Sequence, residues 1–510
     1  MAIKLVKSDG DLGPQTAERK PRRVGVIDIG SNSIRLVVFE GAPRAPFAIF
    51  NEKVLCGVGQ RLQSTGKLDP DGVAAALDNL PRFVAAATAM EVEQLHTVAT
   101  AAVRDALDGQ SFVDAIEKRC GVTVKTIPGD EEARLSALGV IAGCPEADGI
   151  VGDLGGGSLE LIVVAKGAVS QHATLPLGAL RLHELAAGGA DIRDVINGHL
   201  AMLPWLESAK AKNFYAVGGA WRSLARIHMA QSEYRLRVID NYAVDADEFR
   251  EFAKVISQQR ATTLSKFPDL PARRASTLPI ASLILRRVLA RIAPRRLVFS
   301  AHGLREGIVF DALSAAEQKR DPLLDATIEF SRQFARFSGF SDALVRWTAG
   351  LYGDEPVEDA RLRRAMCYLS DIGWSEHPDY RARHAFERVL TLPVMGLDHP
   401  ARAFLAHAIH ARYGGDDDEI GRKFGRRIGL DEAREDRARA LGLALRLGYT
   451  VSAGQESLLN ATSLARQGQS VVLTVPARGA AAFVGEAVER RLKDLAEQLN
   501  LKPRIDGGGR

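Results

Sequence analysis

Two stretches of the chain, "VIDIGSNSIRLVV" at residues 26–38 and "VGDLGGGSLELIVV" at residues 151–164, repeat one pattern. When residues 26–38 are placed on residues 151–163, nine of thirteen positions are identical or exchange Ile, Leu and Val. Each stretch reads as a strand, a turn of the form Asp-x-Gly-x-x-Ser, and a second strand. A single glycine turn can simply connect a hairpin, whereas two matching copies indicate a duplicated unit with a shared purpose.

The segments between the two hairpins alternate between helix and strand patterns. Residues 68–90 have helical periodicity. "QLHTVATAAVRDA" at residues 94–106 reads as a strand that runs into a loop presenting Arg104. "VTVKTIPGDEEARLSALGVIAG" at residues 122–143 reads as a strand, a Pro-Gly turn and a helix. This alternation predicts an α/β layer structure.

The pattern of apolar residues changes near residue 319, and from there it mostly follows a helical period. Strand patterns then disappear until "QSVVLTVPA" at residues 469–477, and the final "RIDGGGR" at residues 504–510 is expected to fray. The predicted organisation is a tail (1–20), an α/β domain (21–140), its repeat (141–318) and a mainly helical region with room for two subdomains (319–510).

Length and composition bound the class of protein. A chain of 510 residues is too long for one core, and 46% hydrophobic with 25% charged residues is typical of a globular protein. The first 20 residues lack a signal-peptide pattern and no apolar run is long enough to cross a bilayer, so we expect a cytoplasmic protein without a membrane partner. Four cysteines without CxxC spacing indicate neither a zinc site nor a disulfide framework. A net charge of +4 gives no reason to expect a nucleic-acid partner, and affinity for any polyanion must come from local clusters.

The duplicated turn has the chemistry of a phosphate site. Glycine lets the backbone approach a ligand closely, and successive N–H groups in such a turn form a concave nest for anions. Ser33 and Ser158 add hydroxyl donors. The aspartate of each turn would repel phosphate unless a hard cation such as Mg²⁺ lies between them. Two such turns would face each other across a cleft and clamp one phosphate group from both sides.

The two copies differ at one charged position, where Arg35 in the first corresponds to Glu160 in the second. Because the intervening turn resets the faces of the strands, Glu160 could lie beside Asp153 across the hairpin and form a paired-carboxylate site for a cation. The alternative is a glutamate that simply faces outward from its strand.

Five strings in this order complete a recognisable pattern: "DIGSNSIRLVV", "TVATAAVRDA", "GDEEARLSALGV", "DLGGGSLEL" and "GLREGIV". The duplicated turns resemble the actin-like, sugar-kinase and Hsp70 superfamily. The particular strings resemble the exopolyphosphatase / guanosine pentaphosphate phosphohydrolase family over about residues 22–315. The resemblance implies two duplicated actin-like (RNase H-like) α/β domains, followed by a mainly helical C-terminal region that resembles, faintly, the metal-dependent HD phosphohydrolases.

The resemblance also implies roles for individual residues. Glu132 would be the base that activates the attacking water, and Arg104 would hold the phosphate. Asp153 and Glu160, with Asp28, would hold Mg²⁺. The phosphate-binding residues would be Gly30, Ser31, Asn32, Ser33, Gly155, Gly156, Gly157, Ser158, Gly218 and Gly219. Without the resemblance, Glu132 reads as a carboxylate stabilised by the start of its helix, and Arg104 as a surface arginine.

Two stretches depart from the family pattern. "VGGAWRSLA" at residues 217–225 carries a bulky Trp221 and also resembles the adenosine-binding turn of the superfamily's kinases. Trp221 could therefore stack on a base or fill the space that a base would need. In the helical region, "YLSDIG" places Ser370 before Asp371 where HD enzymes have histidine, so the residues give little support for a metal site, although His399, His407 and His410 follow.

"GRKFGRR" at residues 421–427 is the densest cationic segment outside the expected cleft. It would hold a long polyanion through phosphate contacts, or else form a solvated face that balances the neighbouring aspartates. Its four cations are Arg422, Lys423, Arg426 and Arg427.

The predicted function is that of an exopolyphosphatase that cuts inorganic polyphosphate from its end with Mg²⁺. The first alternative is removal of the γ-phosphate from guanosine pentaphosphate, and the second is an ATP-dependent kinase of the same superfamily. A third is a silent polyphosphate sensor, against which the presence of Glu132 argues. The resemblance further suggests a homodimer.

Overall fold

The computed structural model describes residues 22–267, 270, 272–416 and 423–507, so the predicted tail at 1–20 lies outside the described residues. The described chain forms two related α/β layers and a mainly helical C-terminal region, as the sequence predicts. None of its described helices has the length and apolar character needed to span a membrane.

The first layer is built on a sheet with the strand order β3-β2-β1-β4-β5. Strands β1, β2 and β3 form an antiparallel meander, and β4 and β5 run parallel to β1. The strands are β1 (Val24–Ile29), β2 (Ile34–Ala42), β3 (Ala45–Val54), β4 (Gln94–Ala99) and β5 (Val124–Thr126). Its helices are α1 (Leu62–Thr65), α2 (Pro70–Ala89), α3 (Ala101–Asp105), α4 (Gly109–Cys120) and α5 (Gly129–Gly143).

The second layer repeats this topology in the order β10-β11-β9-β6-β7-β8, where β8-β7-β6-β9-β11 corresponds to the first sheet in order and direction. Strand β10 is an antiparallel addition at the edge. The strands are β6 (Asp148–Leu154), β7 (Leu159–Ala165), β8 (Ala168–Leu175), β9 (Asn213–Val217), β10 (Tyr242–Asp245) and β11 (Arg296–Phe299). The helices are α6 (Ala179–Ala187), α7 (Ile192–Ala201), a 3₁₀ turn (Pro204–Ala209), α8 (Gly219–Gln231), α9 (Ala246–Ser257), α10 (Ala261–Leu264), α11 (Ala272–Ala275), α12 (Leu278–Ile292) and α13 (Leu304–Asp311). The duplication read from the two hairpins is confirmed at the level of whole sheets.

Local sequence explains how the elements begin. Asp69 caps α2, because its carboxylate accepts a hydrogen bond from the Gly72 N–H at 3.0 Å. The predicted loop around Arg104 is wrong, since residues 101–105 form the short helix α3. Its first turn closes on the Thr100 carbonyl, which accepts from the N–H groups of Val103 and Arg104, and its apolar residues are buried.

Helices α5 and α13 cross between the layers. Helix α5 packs its Val140 and Ile141 against Ile162 and Val164 of the second sheet. Helix α13 packs its Ile308 in the cluster of the first sheet that contains Val26, and Leu135 of α5 joins the same cluster. The division at residue 140 stays a prediction, and most of the helix just before it belongs by its packing to the second layer.

The crossing depends on glycine at the helix contact. A Cβ on Gly139 would lie 2.1 Å from the Gly303 carbonyl oxygen, and a Cβ on Gly307 would lie 1.8 Å from that of Leu135. Both distances are far inside van der Waals contact, so the two helices approach this closely only because these positions carry no side chain.

The C-terminal region combines helices with a small sheet of order β12-β13-β14 around one hydrophobic core. Its helices are α14 (Ala315–Gln318), α15 (Pro322–Phe334), α16 (Phe340–Ala349), α17 (Val357–Leu369), α18 (Arg381–Leu390), α19 (His399–Arg412), α20 (Lys423–Arg427), α21 (Glu432–Ser452), α22 (Glu456–Asn460), a 3₁₀ turn (Ala480–Ala482) and α23 (Glu486–Gln498). Its strands are β12 (Ser463–Gln467), β13 (Ser470–Thr474) and β14 (Lys502–Asp506). The predicted strand is β13, whereas β12 was missed. The expectation that residues 504–506 fray is wrong, because they pair with β13.

This region contacts both α/β layers. Phe330 of α15 packs against Phe47 of β3 in a tilted arrangement, with ring centroids 4.9 Å apart. On the second layer, the Tyr234 hydroxyl lies 2.7 Å from Nδ1 of His399, whose Nε2 lies 3.2 Å from the Asp240 carbonyl oxygen. The helical region therefore bridges the two layers.

The position that resembles an HD motif is occupied by an ion pair. Both carboxylate oxygens of buried Asp371 accept from the Arg336 guanidinium, at 2.9 and 2.6 Å. The Ser370 hydroxyl donates to the Cys367 carbonyl at 2.7 Å. Asp371 therefore has its oxygens engaged by a cation of the protein itself.

Candidate active site

The two glycine turns have the same internal geometry. In each turn the glycine N–H donates to the carbonyl of the serine three residues later at 3.0 Å, from Gly30 to Ser33 and from Gly155 to Ser158. The turns also meet in space, since a Cβ on Gly156 would lie 3.1 Å from the Cβ of Ser31. They face each other at the junction of the two layers, as the duplication predicts.

Backbone N–H groups of neighbouring segments donate hydrogen bonds to the carbonyl groups of both turns. In the first turn, the Ser31 carbonyl accepts from the Gly59 N–H at 2.9 Å and the Asn32 carbonyl from the Gly57 N–H at 3.1 Å. In the second turn, the Gly156 carbonyl accepts from the Leu180 N–H at 3.0 Å at the start of α6. Both turns are thus fixed through their acceptors, which orients their donors the other way.

Those donors are free. Among the described residues, six backbone N–H groups of the two turns have no hydrogen-bond acceptor: those of Ser31, Asn32, Ser33, Gly156, Gly157 and Ser158. All six residues line one cavity of about 470 Å³. Convergent unpaired N–H groups form an anion site, because each donor retains its partial positive charge until a ligand oxygen accepts from it.

Gly178 supports the second turn and was not found from the sequence. A Cβ at this position would lie 2.2 Å from the Gly157 carbonyl carbon. It stands just before α6, whose first N–H groups bond the turn. Nothing in the local string marks this glycine, since its contact is with Gly157, on the far side of strands β7 and β8 in the chain.

Asp153 and Glu160 are direct partners across the β6–β7 hairpin, so the predicted placement is confirmed. Glu160 is 1% exposed, and its Oε1 finds no hydrogen-bond partner within the described part of the chain. Burial raises the pKa of Glu160 well above its usual range, and the neighbouring Glu132 and Asp153 raise it further. Burial also raises the pKa of Asp153, whose Oδ2 accepts from the Ser136 hydroxyl at 2.7 Å.

The buried carboxylates beside the second turn have the chemistry of a divalent-cation site. Buried carboxylates that repel one another, with one oxygen unsatisfied, are stabilised by a hard cation, which prefers oxygen ligands. Within the described ranges no group of three or more His, Cys, Asp and Glu side chains is arranged to hold a metal alone. The pair Asp153–Glu160 fits the usual Mg²⁺ pattern of one or two carboxylates completed by water and substrate phosphate. Asp28, the third predicted ligand, is ion-paired with Arg305 at 2.8 Å.

Glu132 lines the cavity at the start of α5. Burial raises its pKa to about 7, with Asp153 and Asp28 adding to the rise and Arg104 opposing it. Nη1 of Arg104 donates to Oε2 of Glu132 at 2.9 Å and to the Ile127 carbonyl at 3.2 Å. Arg104 is therefore beside the predicted base, and it reaches the cavity only through Glu132.

The charged residues that face one another across the strands next to each turn differ between the two copies. Neighbouring partners across the strands are Asp28–Arg35–Lys53 in the first copy and Asp153–Glu160–Thr174 in the second. Cross-strand partners share one face of a sheet. At the middle position of the row the first layer therefore presents a cation, Arg35, to the cavity, and the second layer presents a carboxylate, Glu160.

The "VGGAW" stretch forms a third wall of the cavity. Gly218 has a φ of +106°, and a Cβ there would lie 2.4 Å from the Leu154 carbonyl oxygen, so this turn requires glycine. Trp221 is fully buried and its Nε1 donates to the Ala281 carbonyl at 3.0 Å. Trp221 thus fills the core of the second layer, which decides between the two alternatives left by the sequence.

The basic segment at 421–427 is described only in part. Arg422 and the Lys423 side chain lie outside the described residues. Arg426 and Arg427 are exposed, and Arg426 pairs with Glu432 at 3.0 Å. A polyphosphate role for this segment stays a prediction.

Comparison with known proteins agrees with this architecture. Residues 37–316 match the Ppx/GppA phosphatase family and residues 323–503 match "Exopolyphosphatase, C-terminal". The chain is 26% identical over 477 residues to Retrograde regulation protein 2 of Saccharomyces cerevisiae, covering 85% of this chain and 80% of that protein. It is 26% identical over 307 residues to Exopolyphosphatase 1 of Mycobacterium tuberculosis, covering 58% and 89%.

Among solved structures, an exopolyphosphatase from Cytophaga hutchinsonii shares the fold, with a TM-score of 0.53 and 23% identity over 57% of this chain and 99% of that one. The resemblance inferred from the five strings is confirmed by the family match, which covers more than half of the chain. The chain belongs to the Ppx/GppA phosphatase family.

Proposed function

We propose that this protein is an exopolyphosphatase, which hydrolyses the terminal phosphoanhydride bond of inorganic polyphosphate and releases orthophosphate. The observation that carries the proposal is the set of six unpaired N–H groups on two facing turns, next to the buried Glu132. The cytoplasmic location and the homodimer stay predictions from the sequence.

The turns supply binding and charge stabilisation. Their N–H groups hold the terminal phosphoryl group, whose three non-bridging oxygens carry the charge of the transition state. Donors that are already fixed need no reorganisation when the charge redistributes. The hydrogen bonds behind the turns, from Gly57, Gly59 and Leu180, provide that fixation.

Glu132 supplies the base. A pKa of about 7 leaves a substantial fraction of the carboxylate ionised at neutral pH and still basic enough to take a proton from water. The Arg104 guanidinium, bound to Oε2, fixes the orientation of the carboxylate and leaves Oε1 for the water. After attack, Glu132 holds the proton that the water has lost.

Asp153 and Glu160 are the residues that would hold Mg²⁺. When bound, the ion would neutralise negative charge on the phosphoryl group being transferred. The unsatisfied Oε1 of Glu160 supports this assignment. Ser136 donates to Asp153 and so keeps that carboxylate oriented towards the cavity.

The decisive experiment measures phosphate release from long polyphosphate, tripolyphosphate, guanosine pentaphosphate and ATP without an acceptor, and turnover of ATP with a sugar or carboxylate acceptor added. We expect orthophosphate from both polyphosphates. Faster release from guanosine pentaphosphate would favour the first alternative. Turnover of ATP only with an added acceptor would identify a kinase. Tight binding of polyphosphate without release would identify a sensor.

A further inference from the structure

Four charged side chains lead from the contact between the two layers to the proposed base. Nη2 of Arg181 donates to Oδ2 of Asp105 at 2.8 Å. Oδ1 of Asp105 accepts from Nε of Arg104 at 3.2 Å, and Nη1 of Arg104 donates to Oε2 of Glu132 at 2.9 Å. We call these four residues the ion-pair chain. Of the four, Glu132 alone lines the cavity.

The ion-pair chain crosses between the layers twice. Arg104 and Asp105 are the last two residues of α3, in the first layer. Arg181 lies in the first turn of α6, and its backbone N–H donates to the Gly156 carbonyl of the second glycine turn at 3.2 Å. Glu132 lies in the first turn of α5, most of which packs on the second layer. Both ends of the chain therefore belong to the second layer and its middle to the first.

The local structure of α3 gives no reason for an aspartate at residue 105. The C-terminal end of a helix favours cations, because its unpaired carbonyl groups carry partial negative charge. The two oxygens of Asp105 are instead divided between two arginines, Arg104 from its own layer and Arg181 from the other. Tertiary contacts, and not the helix, account for this carboxylate.

Asp105 fixes the direction in which Arg104 points. An arginine side chain has several rotatable bonds, so a contact at one nitrogen restrains its guanidinium weakly. The guanidinium is planar and rigid, so a second contact at Nε sets the plane in which Nη1 lies. Nη1 then donates both to Glu132 and to the Ile127 carbonyl, the latter at 3.2 Å. Because Arg104 orients the Glu132 carboxylate, Asp105 acts on the base through Arg104.

We propose that Asp105 is a positioning residue for the proposed base, and that it holds the Arg104 guanidinium against Glu132. The contact with Arg181 links this positioning to the approach of the two layers, because Arg181 restrains the Asp105 carboxylate only where α6 meets α3. The inference rests on the proposed function, since it concerns the base assigned there. Asp105 does not line the cavity, so it acts through its neighbour and not on the substrate.

The test variant is Asp105→Ala, which removes both contacts of the carboxylate and places a good helix former at the end of α3. The fold should be retained, because the Asp105 side chain is 35% exposed and the buried residues of α3 are 101–103. The matched control is Glu184→Ala, on the same helix as Arg181. Oε1 of Glu184 accepts from the Ser64 N–H at 3.0 Å, which is another contact between the layers, outside the cavity and the ion-pair chain.

Steady-state phosphate release from tripolyphosphate gives kcat and KM for each variant. We expect Asp105→Ala to lower kcat roughly tenfold, since a small misplacement of a catalytic group can cost up to about 10²-fold. KM should stay close to that of the wild type, because the six N–H donors of the turns are unchanged. Glu184→Ala should alter neither constant. Thermal unfolding checks that both variants are folded at the assay temperature.

A double-mutant cycle tests whether Asp105 acts through Arg104. Arg104→Gln alone should lower kcat at least as far as Asp105→Ala does, because the group that contacts Glu132 is itself lost. Adding Asp105→Ala to Arg104→Gln should then change kcat by less than about twofold, since the side chain that Asp105 positions is absent. Arg181→Gln should lower kcat less than Asp105→Ala does, and its effect should also vanish in the Arg104→Gln background.

Unchanged kcat in Asp105→Ala, an equal loss in Glu184→Ala, or a full tenfold loss in the Arg104→Gln background would overturn the inference. So would a loss that appears in KM instead of kcat. Wild-type kcat in Arg181→Gln would refute the link to the layer contact. If the wild type cleaves guanosine pentaphosphate but not tripolyphosphate, the proposed function fails, and the same cycle on guanosine pentaphosphate decides the role of Asp105. If it cleaves neither, both fail.

Discussion

Glu131 and Glu132 are neighbours in the sequence but belong to different parts of the molecule. Glu131 forms an ion pair with Arg134 at 2.8 Å, and Arg134 also pairs with Asp311 of α13 at 2.8 Å. The Arg134 contact lowers the pKa of Glu131. Glu132 lines the cavity, where burial raises its pKa to about 7. Glu131 thus belongs to an ion-pair network that joins α5 to α13 through Arg134, whereas Glu132 is able to exchange a proton.

Glu132→Gln should lower kcat by roughly 10²–10⁴, the range for general-base catalysis, while polyphosphate binding is retained. The matched control is Glu131→Gln, which should keep kcat close to that of the wild type and mainly lower thermal stability. Steady-state phosphate release and an equilibrium binding assay check both variants. Loss of kcat in Glu131→Gln with none in Glu132→Gln would show that the base is assigned to the wrong carboxylate.

The cation prediction belongs to Asp153. Activity should disappear with excess chelator and return with Mg²⁺, and Asp153→Asn should raise the Mg²⁺ concentration needed for half-maximal rate, because one of the paired carboxylates is lost. Asp148→Asn on the same strand is the control, since Asp148 pairs with Lys212 at the surface and is not in the cavity. Full activity in excess chelator would contradict the assignment.

At the scale of elements, the sequence predicted features formed by neighbouring residues, such as turns and hairpins. It missed contacts between residues that lie far apart in the chain. The turns at 30–33 and 155–158 carry their own glycines and could be read directly, as could the cross-hairpin pair of Asp153 and Glu160. Gly178 and Arg274 could not, because each meets its turn only through folding. The small sheet was also read incompletely, since β14 is stabilised by pairing with β13 and not by its own composition.

Substitutions at the adjacent Gly218 and Gly219 should have different effects, one on stability and the other on substrate binding. Gly218→Ala should destabilise the protein by about 1–3 kcal/mol, because its φ is +106° and a Cβ would meet the Leu154 backbone at 2.4 Å. Gly219→Ala meets only the tip of Arg274, which can move, so its thermal unfolding should hardly change. Its KM for polyphosphate should rise instead, because Arg274, which lines the cavity, is displaced.

Thermal unfolding and substrate kinetics measured on both variants check this pair. Equal loss of stability in the two would mean that the Arg274 guanidinium is as rigid as the Leu154 backbone.

At the scale of the whole molecule, the C-terminal helical region contacts both α/β layers and so connects them. It contacts the first layer through Phe330 and Phe47, and the second through His399, Tyr234 and Asp240. The sequence indicated the helical region and its approximate start, but not this bridging, because the contacts join residues that lie far apart in the chain, such as His399 and Asp240.

The contact at His399 predicts a dependence of stability on pH. Burial lowers its pKa from 6.5 to about 4, with Arg402 adding to it and Asp240 and Asp398 opposing it. Since the unfolded histidine binds a proton more readily, its contribution is complete above pH 6.5 and decreases as the pH falls towards 4, by roughly 3 kcal/mol in full. His399→Gln, which keeps a polar group near Tyr234, should unfold at a lower temperature at pH 7.5 and lose less between pH 7.5 and 5 than the wild type. Thermal unfolding at both pH values checks this, and parallel losses in the two proteins would contradict it.

The crossing of α5 and α13 determines which groups move together. Because α5 packs on the second sheet and Ser136 bonds Asp153, we expect Glu132 and Ser136 to move with Asp153, while the first turn, Arg104 and the Lys53 strand belong to the first layer. Any rotation that widens the cleft leaves the base and the cation ligands in register with each other. It breaks instead the hydrogen bond between Arg104 and Glu132. It also moves the three N–H donors of the first turn away from the phosphate. Release of orthophosphate and renewed grip on the shortened chain would then be two halves of one rotation, with the hydrolytic groups carried through it unchanged.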